Sequence, residues 1–180
     1  MSGWAIFAIV LGVLLLLAAL AAAGWFGWHY LERRILLRLL VRAAAVEAAA
    51  QALEDTVERL DGAGKEEIGA FADDPDSSER RALHEVQSRA QLLLDELDQM
   101  PLPQSVIPLA ESLADAAYLT AREAGCVTDH DTGEAALAKL KSLDLATVRE
   151  YVAQAHARVS ATCAAFGLED TAVYGGGLYL

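Results

Sequence analysis

Charge is missing from the first 28 residues of this 180-residue chain, and neither Gly nor Pro occurs between Trp28 and Asp61. The first absence excludes an ordinary water-exposed opening segment; the second lets a helix run on without a break. Only two cysteines are present, Cys126 and Cys163, too few for a disulfide framework or for a paired-cysteine zinc site. In a reducing cytoplasm they are expected to be small buried apolar residues. β-branched alternation is scarce and no stretch reads as a strand, so no glycine-rich phosphate loop follows a strand, and no Ser-centred nucleophile motif occurs. These absences argue against an enzyme, and no cofactor is expected.

What is present at the amino-terminal end is a long apolar run. Eleven large apolar residues lie between Ile6 and Leu20, worth about 3 to 7 kcal/mol of membrane insertion at ~0.3 to 0.6 kcal/mol each. From Trp4 to Trp25 a helix rises about 32 Å, close to the hydrocarbon thickness of a bilayer. Aromatic residues mark both ends, Trp4 and Phe7 at one and Trp25, Phe26, Trp28 and Tyr30 at the other, where amphipathic rings settle at headgroup level. Arg33, Arg34, Arg38 and Arg42 follow at once, and basic residues beside a span stay on the cytoplasmic side. The expectation is therefore a single-pass protein of the cell membrane, with its N-terminus outside and its C-terminal domain cytoplasmic. Ala21, Ala22 and Ala23 before Gly24 resemble a signal-peptide cleavage site, but no Lys or Arg precedes the run and the arginines follow immediately, so anchoring is the preferred reading.

Charge divides sharply along the chain. Residues 1–42 carry four basic and one acidic side chain, net +3, whereas residues 43–180 carry ten basic and 25 acidic, net −15. An acidic body of this kind repels phosphate backbones, which excludes nucleic acid as a partner and leaves a solubilising surface as the simplest purpose.

The rest of the chain is rich in Ala, Leu and Glu with apolar residues at steps of three and four, the mark of helix. Leu36, Leu39, Ala43, Val46, Ala50, Leu53, Val57 and Leu60 form a seam on one helix, which continues the span as a rod of about 55 residues. Gly62 and Gly64 end it, and Lys65 to Phe71 forms a short helix. A second long helix starts near Asp74 or Asp76 with Pro75 in its first turn, buries Leu83, Val86, Ala90, Leu93, Leu97 and Met100, and stops before Pro101 and Pro103. A third begins around Ser105, buries Val106, Leu109, Leu113, Ala116 and Thr120, and finishes at Gly125. A short helix from Glu134 to Leu143, with Asp131 as its capping partner, precedes a last helix capped by Asp144 that presents Val148, Val152, Ala155, Val159, Thr162 and Phe166.

The fold class expected is all-α: a single N-terminal transmembrane helix continuing into a cytoplasmic antiparallel bundle of about four helices, with a short flexible C-terminal tail. The divisions are a short segment 1–3, the span 4–28, a juxtamembrane helix 29–61, the remainder of the acidic bundle 62–167, and a Gly-rich hydrophobic tail 168–180. Candidate metal ligands are weak. Asp129, His130 and Asp131 are adjacent and diverge, and Asp73, Asp74, Asp76 and Glu79 lack the Gly and spacing of a calcium loop, so helix capping is the better explanation. His84 and His156 read as boundary histidines.

Contact is the chemistry expected. Trp4, Trp25, Trp28, Tyr30, Arg33, Arg34, Arg38 and Arg42 are assigned to the membrane interface. Leu178, Tyr179 and Leu180, tethered by Gly175 to Gly177, are assigned to docking on a partner or on the chain's own bundle. Gly12, Ala19, Ala23 and Gly27 in the span, and Ala43 and Ala50 in the bundle, are assigned to close helix packing. The partners expected are the lipid bilayer and other membrane or cytoplasmic proteins, with a second copy among them. The function expected is a non-enzymatic adaptor or accessory subunit, against two alternatives: a small subunit of a larger integral membrane complex, or a ligand-sensing bundle.

Overall fold

The computed structural model describes the backbone of residues 3–168 and the side chains of residues 11–168. Among these residues the chain is all-helical, with six helices and no strand: α1 (Gly3–Asp61), α2 (Lys65–Asp73), α3 (Ser78–Asp98), α4 (Ile107–Ala124), α5 (Gly133–Lys141) and α6 (Leu145–Ala165). Two units divide the chain, Met1–Leu37 and Arg38–Leu180.

The first unit is the apolar part of α1, long and apolar enough to cross a membrane, with residues 11–31 exposed. No internal Pro, and glycines only where a helix tolerates them, explain the continuity of α1 as one 59-residue helix.

In the second unit, α3 packs chiefly on α4, α4 also packs on α6, and α2 packs on α5. The main core joins Leu53, Val57 and Leu60 of α1 to Phe71 of α2, Leu83 and Val86 of α3, Ala124 of α4 and Ala136 of α5. A second cluster joins Ala50 of α1, Leu119 of α4 and Val148 of α6. The apolar seams follow the spacing in the sequence. Seven of the eight residues named for α1 are buried and Ala43 is half-buried; on α3 every named residue is buried except Met100, and on α4 all are. On α6, Val148, Ala155 and Val159 are buried, whereas Val152, Thr162 and Phe166 are half-buried, because the outward face of that helix mixes alanines with Arg149, Glu150 and Arg158 and defines the inward stripe less sharply.

Helix ends depart from expectation at two places. Pro75 is not in the first turn of α3, which begins at Ser78; the Asp74 carboxylate accepts from the Asp76 N–H at 2.9 Å and the Asp74 carbonyl from the Ser77 N–H at 3.1 Å, so the acidic segment is a turn in its own right. The Asp131–Glu134 capping pair does not form. Thr132 occupies the N-cap of α5, and the Asp131 carboxylate turns back to the Thr128 N–H and hydroxyl at 2.8 and 2.7 Å. Asp144 does cap α6, accepting from the Thr147 N–H at 3.0 Å. Gly167 closes α6 with φ 64°, the left-handed region a Cβ disfavours.

Candidate functional site

The residues assigned to the membrane interface are turned outward on α1. Trp25, Trp28 and Tyr30 are exposed, and Trp25 lies 5.7 Å, centroid to centroid, from the His29 ring. Arg33, Arg34 and Arg38 are exposed; Arg42 is half-buried and committed elsewhere, with its guanidinium 3.2 Å from the Glu96 carboxylate of α3 and a further bond to the Arg38 carbonyl. Trp4 lies in α1, with its side chain outside the described residues, and Leu178, Tyr179 and Leu180 lie outside them altogether.

Of the packing residues, Gly12, Ala19, Ala23 and Gly27 are all exposed, and a methyl group added at either glycine would meet nothing. Ala50 is buried against α4 and α6, and Ala43 is half-buried.

At the end of the acidic unit where α2 and α5 sit, the structure brings together residues that sequence reasoning left apart. Arg80, in the first turn of α3, is 2 % exposed and donates to four backbone carbonyls: Phe71 at 2.6 Å, Ala72 at 2.9 Å, Thr128 at 3.0 Å and Asp131 at 2.6 Å. Its guanidinium also lies 5.3 Å from the centre of the fully buried Phe71 ring, within cation–π range. Five donors in a rigid fork suit this task, since one side chain closes the end of α2 and the α4–α5 loop onto α3.

The same loop is fastened from its other side. The Asp131 carboxylate accepts from Lys139 Nζ at 2.7 Å, and this bond, then those from the Thr128 N–H and hydroxyl, hold its pKa far below the usual carboxylate range. His84 Nε2 lies 2.7 Å from Asp129 Oδ1 at the surface. The Cys126 thiol, half-buried beside Glu123, is pushed up to about 11, burial being the larger cause. Glu123, 8 % exposed, accepts from the Arg122 guanidinium and from the Asp144 N–H at 3.0 Å, which ties α4 to the start of α6. Asp129, His130 and Asp131 thus diverge, and among the described residues no three His, Cys, Asp or Glu side chains converge on one point. The cluster locks a loop by bonds to carbonyls and hydroxyls.

A surface furrow of about 540 Å³ runs between α1 and α3. Ala49 and Ala52 of α1 and Ala82 and Val86 of α3 form its floor, with Asp55, Glu58 and Arg59 on one lip and Glu85 and Arg89 on the other. Small side chains at facing positions leave the space between the two helices unfilled. Arg89 pairs with Glu85 on its own helix, and Arg59 donates to the Asp55 carbonyl at 3.2 Å and the Thr56 hydroxyl at 3.2 Å. Sequence reasoning missed this furrow, because alanine beside an apolar seam gives no signal of its own.

No family model, no curated protein and no solved structure matches the chain.

Proposed function

We propose that this chain is a non-enzymatic, membrane-anchored adaptor or accessory subunit: the apolar part of α1 spans the cell membrane, and the acidic unit, a bundle of four long helices, is presented to protein partners on the cytoplasmic side. One observation carries the reading. Large apolar side chains from Leu11 to Leu20 are 47 to 64 % exposed on a stretch of helix without a charge. Water does not tolerate such a surface, and lipid covers it without cost. Exposed Arg33, Arg34 and Arg38 then meet headgroups, and the tail residues Leu178, Tyr179 and Leu180 are a second point of contact.

Contact is favoured over catalysis because His84, Glu123, Asp131 and Cys126 are each engaged in holding helices or loops. It is favoured over ligand sensing because the recess between α1 and α3 is an open furrow with charges of both signs on its lips, not an enclosed apolar cavity. The alternative of a subunit packed through its span draws on the open faces of Gly12 and Gly27.

Alkaline extraction of membranes tests the reading. Native protein stays in the pellet at full mass. The L14R/L17R variant, which adds about 3 kcal/mol per substitution to insertion, is lost from it. Native protein recovered in the supernatant, or missing its first residues, refutes the anchor.

A further inference from the structure

We propose that one face of α1 at the end of its apolar stretch, formed by Phe26, Tyr30, Arg33, Arg34 and Leu37, binds an anionic phospholipid in preference to a zwitterionic one. The site rests on the reading of α1 as a membrane span and names the lipid that its arginines select.

Two faces of this part of the helix are finished differently. Trp25, His29 and Glu32 follow one another at steps of four and three and are joined to each other: the Trp25 and His29 ring centroids lie 5.7 Å apart, and His29 Nδ1 is 3.4 Å from a Glu32 carboxylate oxygen. Glu32 is 9 % exposed and lies on the side of the helix that carries buried Ile35 and Leu36. Phe26, Tyr30, Arg33, Arg34 and Leu37, related by steps of three and four, make up the opposite face, and all five are exposed.

The charge on that second face is uncompensated. Neither the Arg33 nor the Arg34 guanidinium has a hydrogen bond or ion pair among the described residues. No position three or four residues from either arginine holds an acid, and Glu32, the one acid in residues 1–42, is turned to the other side. In the acidic unit, by contrast, Arg42, Arg89, Arg122 and Arg149 each pair with a carboxylate.

The order of groups along the helix is that of a phospholipid. Phe26 lies nearest the apolar stretch and offers its ring to an acyl chain; the Tyr30 hydroxyl follows one turn on; Arg33 and Arg34, a further turn on, bring two guanidinium forks to the phosphate. A zwitterionic headgroup carries an ammonium as well, which needs an acceptor, and this face has no carboxylate to give it. An anionic headgroup asks only for donors. Each arginine beside an anionic headgroup favours it by about fivefold.

Native mass spectrometry of the full chain in a mild detergent, titrated with phosphatidylglycerol and phosphatidylcholine in equal amounts, tests this. Native protein is expected to retain phosphatidylglycerol at least tenfold more tightly. R33Q/R34Q brings the two lipids to within about twofold of each other with helicity unchanged, Y30F lowers the preference by less, and R81Q/R158Q, which removes two exposed arginines of the acidic unit, leaves it as it was. Equal retention of both lipids by native protein, a preference that survives R33Q/R34Q, or one lost equally in R81Q/R158Q overturns the proposal. Protein that stays in the pellet on alkaline extraction yet shows no lipid preference refutes this site alone, whereas protein that leaves the pellet refutes the anchor, so the two failures are told apart.

Discussion

Replacing Arg80 with Met is the sharpest probe of how the acidic unit is closed. The change keeps an unbranched side chain of similar length and removes every donor. Four carbonyls lose their partner, those of Phe71 and Ala72 in buried surroundings and those of Thr128 and Asp131 in partly buried ones. A hydrogen bond to a charged group contributes about 1.5 to 3 kcal/mol, and an orphaned buried carbonyl costs about 1 to 3 kcal/mol. Water reaches the two partly buried carbonyls in the variant, and Met recovers some apolar contact with Phe71, so the net loss is about 3 to 4 kcal/mol. For a unit of this size that lowers the melting temperature by about 10 °C. The assay is thermal unfolding of the full chain in detergent micelles followed by circular dichroism, where the transition reports the acidic unit because a micelle-embedded helix stays folded. Arg81→Met, on the exposed neighbour, serves as the control and is expected to be neutral. A loss at Arg80 below about 1 kcal/mol, or one equal to that at Arg81, refutes the view that a buried guanidinium bound only to carbonyls and a ring holds this end together.

Phe71→Ala removes a fully buried ring and is expected to cost about 3 to 5 kcal/mol; combined with Arg80→Met it costs less than the two losses added, because each change disrupts the same contact, and a double-mutant cycle by chemical unfolding measures the shortfall. The depressed Asp131 pKa makes this carboxylate a source of stability that is present above the unfolded carboxylate range near 4 and is lost as pH falls through the lower folded value. Asp131→Asn is therefore less stable than native at pH 7, and the gap between the two narrows as melting is repeated at pH 4 and pH 3. Cys126, with its pKa near 11, carries about one thiolate in a thousand at pH 8, so alkylation of the native protein is slow at pH 8 and about tenfold faster at pH 9. Gly167→Ala forces a side chain into a backbone with φ 64° and is expected to destabilise by about 1 kcal/mol in the same melting assay.

The long helices were legible because their apolar residues recur at steps of three and four, and burial enforces that period over many turns. Leu39, Leu53, Leu83, Leu113 and Val148 are each buried where spacing alone placed them. The end of the unit was not legible. Arg80 lies one helical step before Leu83, so extending the α3 seam backward lands on it, yet an arginine there reads as solvated. What buries it are carbonyls eight to fifty-one residues away, which no local pattern reports. Asp131 sits where a capping partner for Glu134 belongs, but Thr128 and Lys139 compete for the same oxygens and win. Arg42 follows the other arginines in sequence and differs from them only through Glu96 on another helix. The furrow escaped notice because alanine at a seam flank is neutral in the sequence; its meaning comes from the alanine it faces.

Orientation of the acidic unit is best measured by labelling Ser160→Cys, an exposed position on α6, with a membrane-impermeant maleimide in intact and in permeabilised cells, using the native chain as the blank. Labelling only after permeabilisation is the outcome expected of an anchored protein whose acidic mass faces the cytoplasm. Equal labelling of intact cells would contradict it.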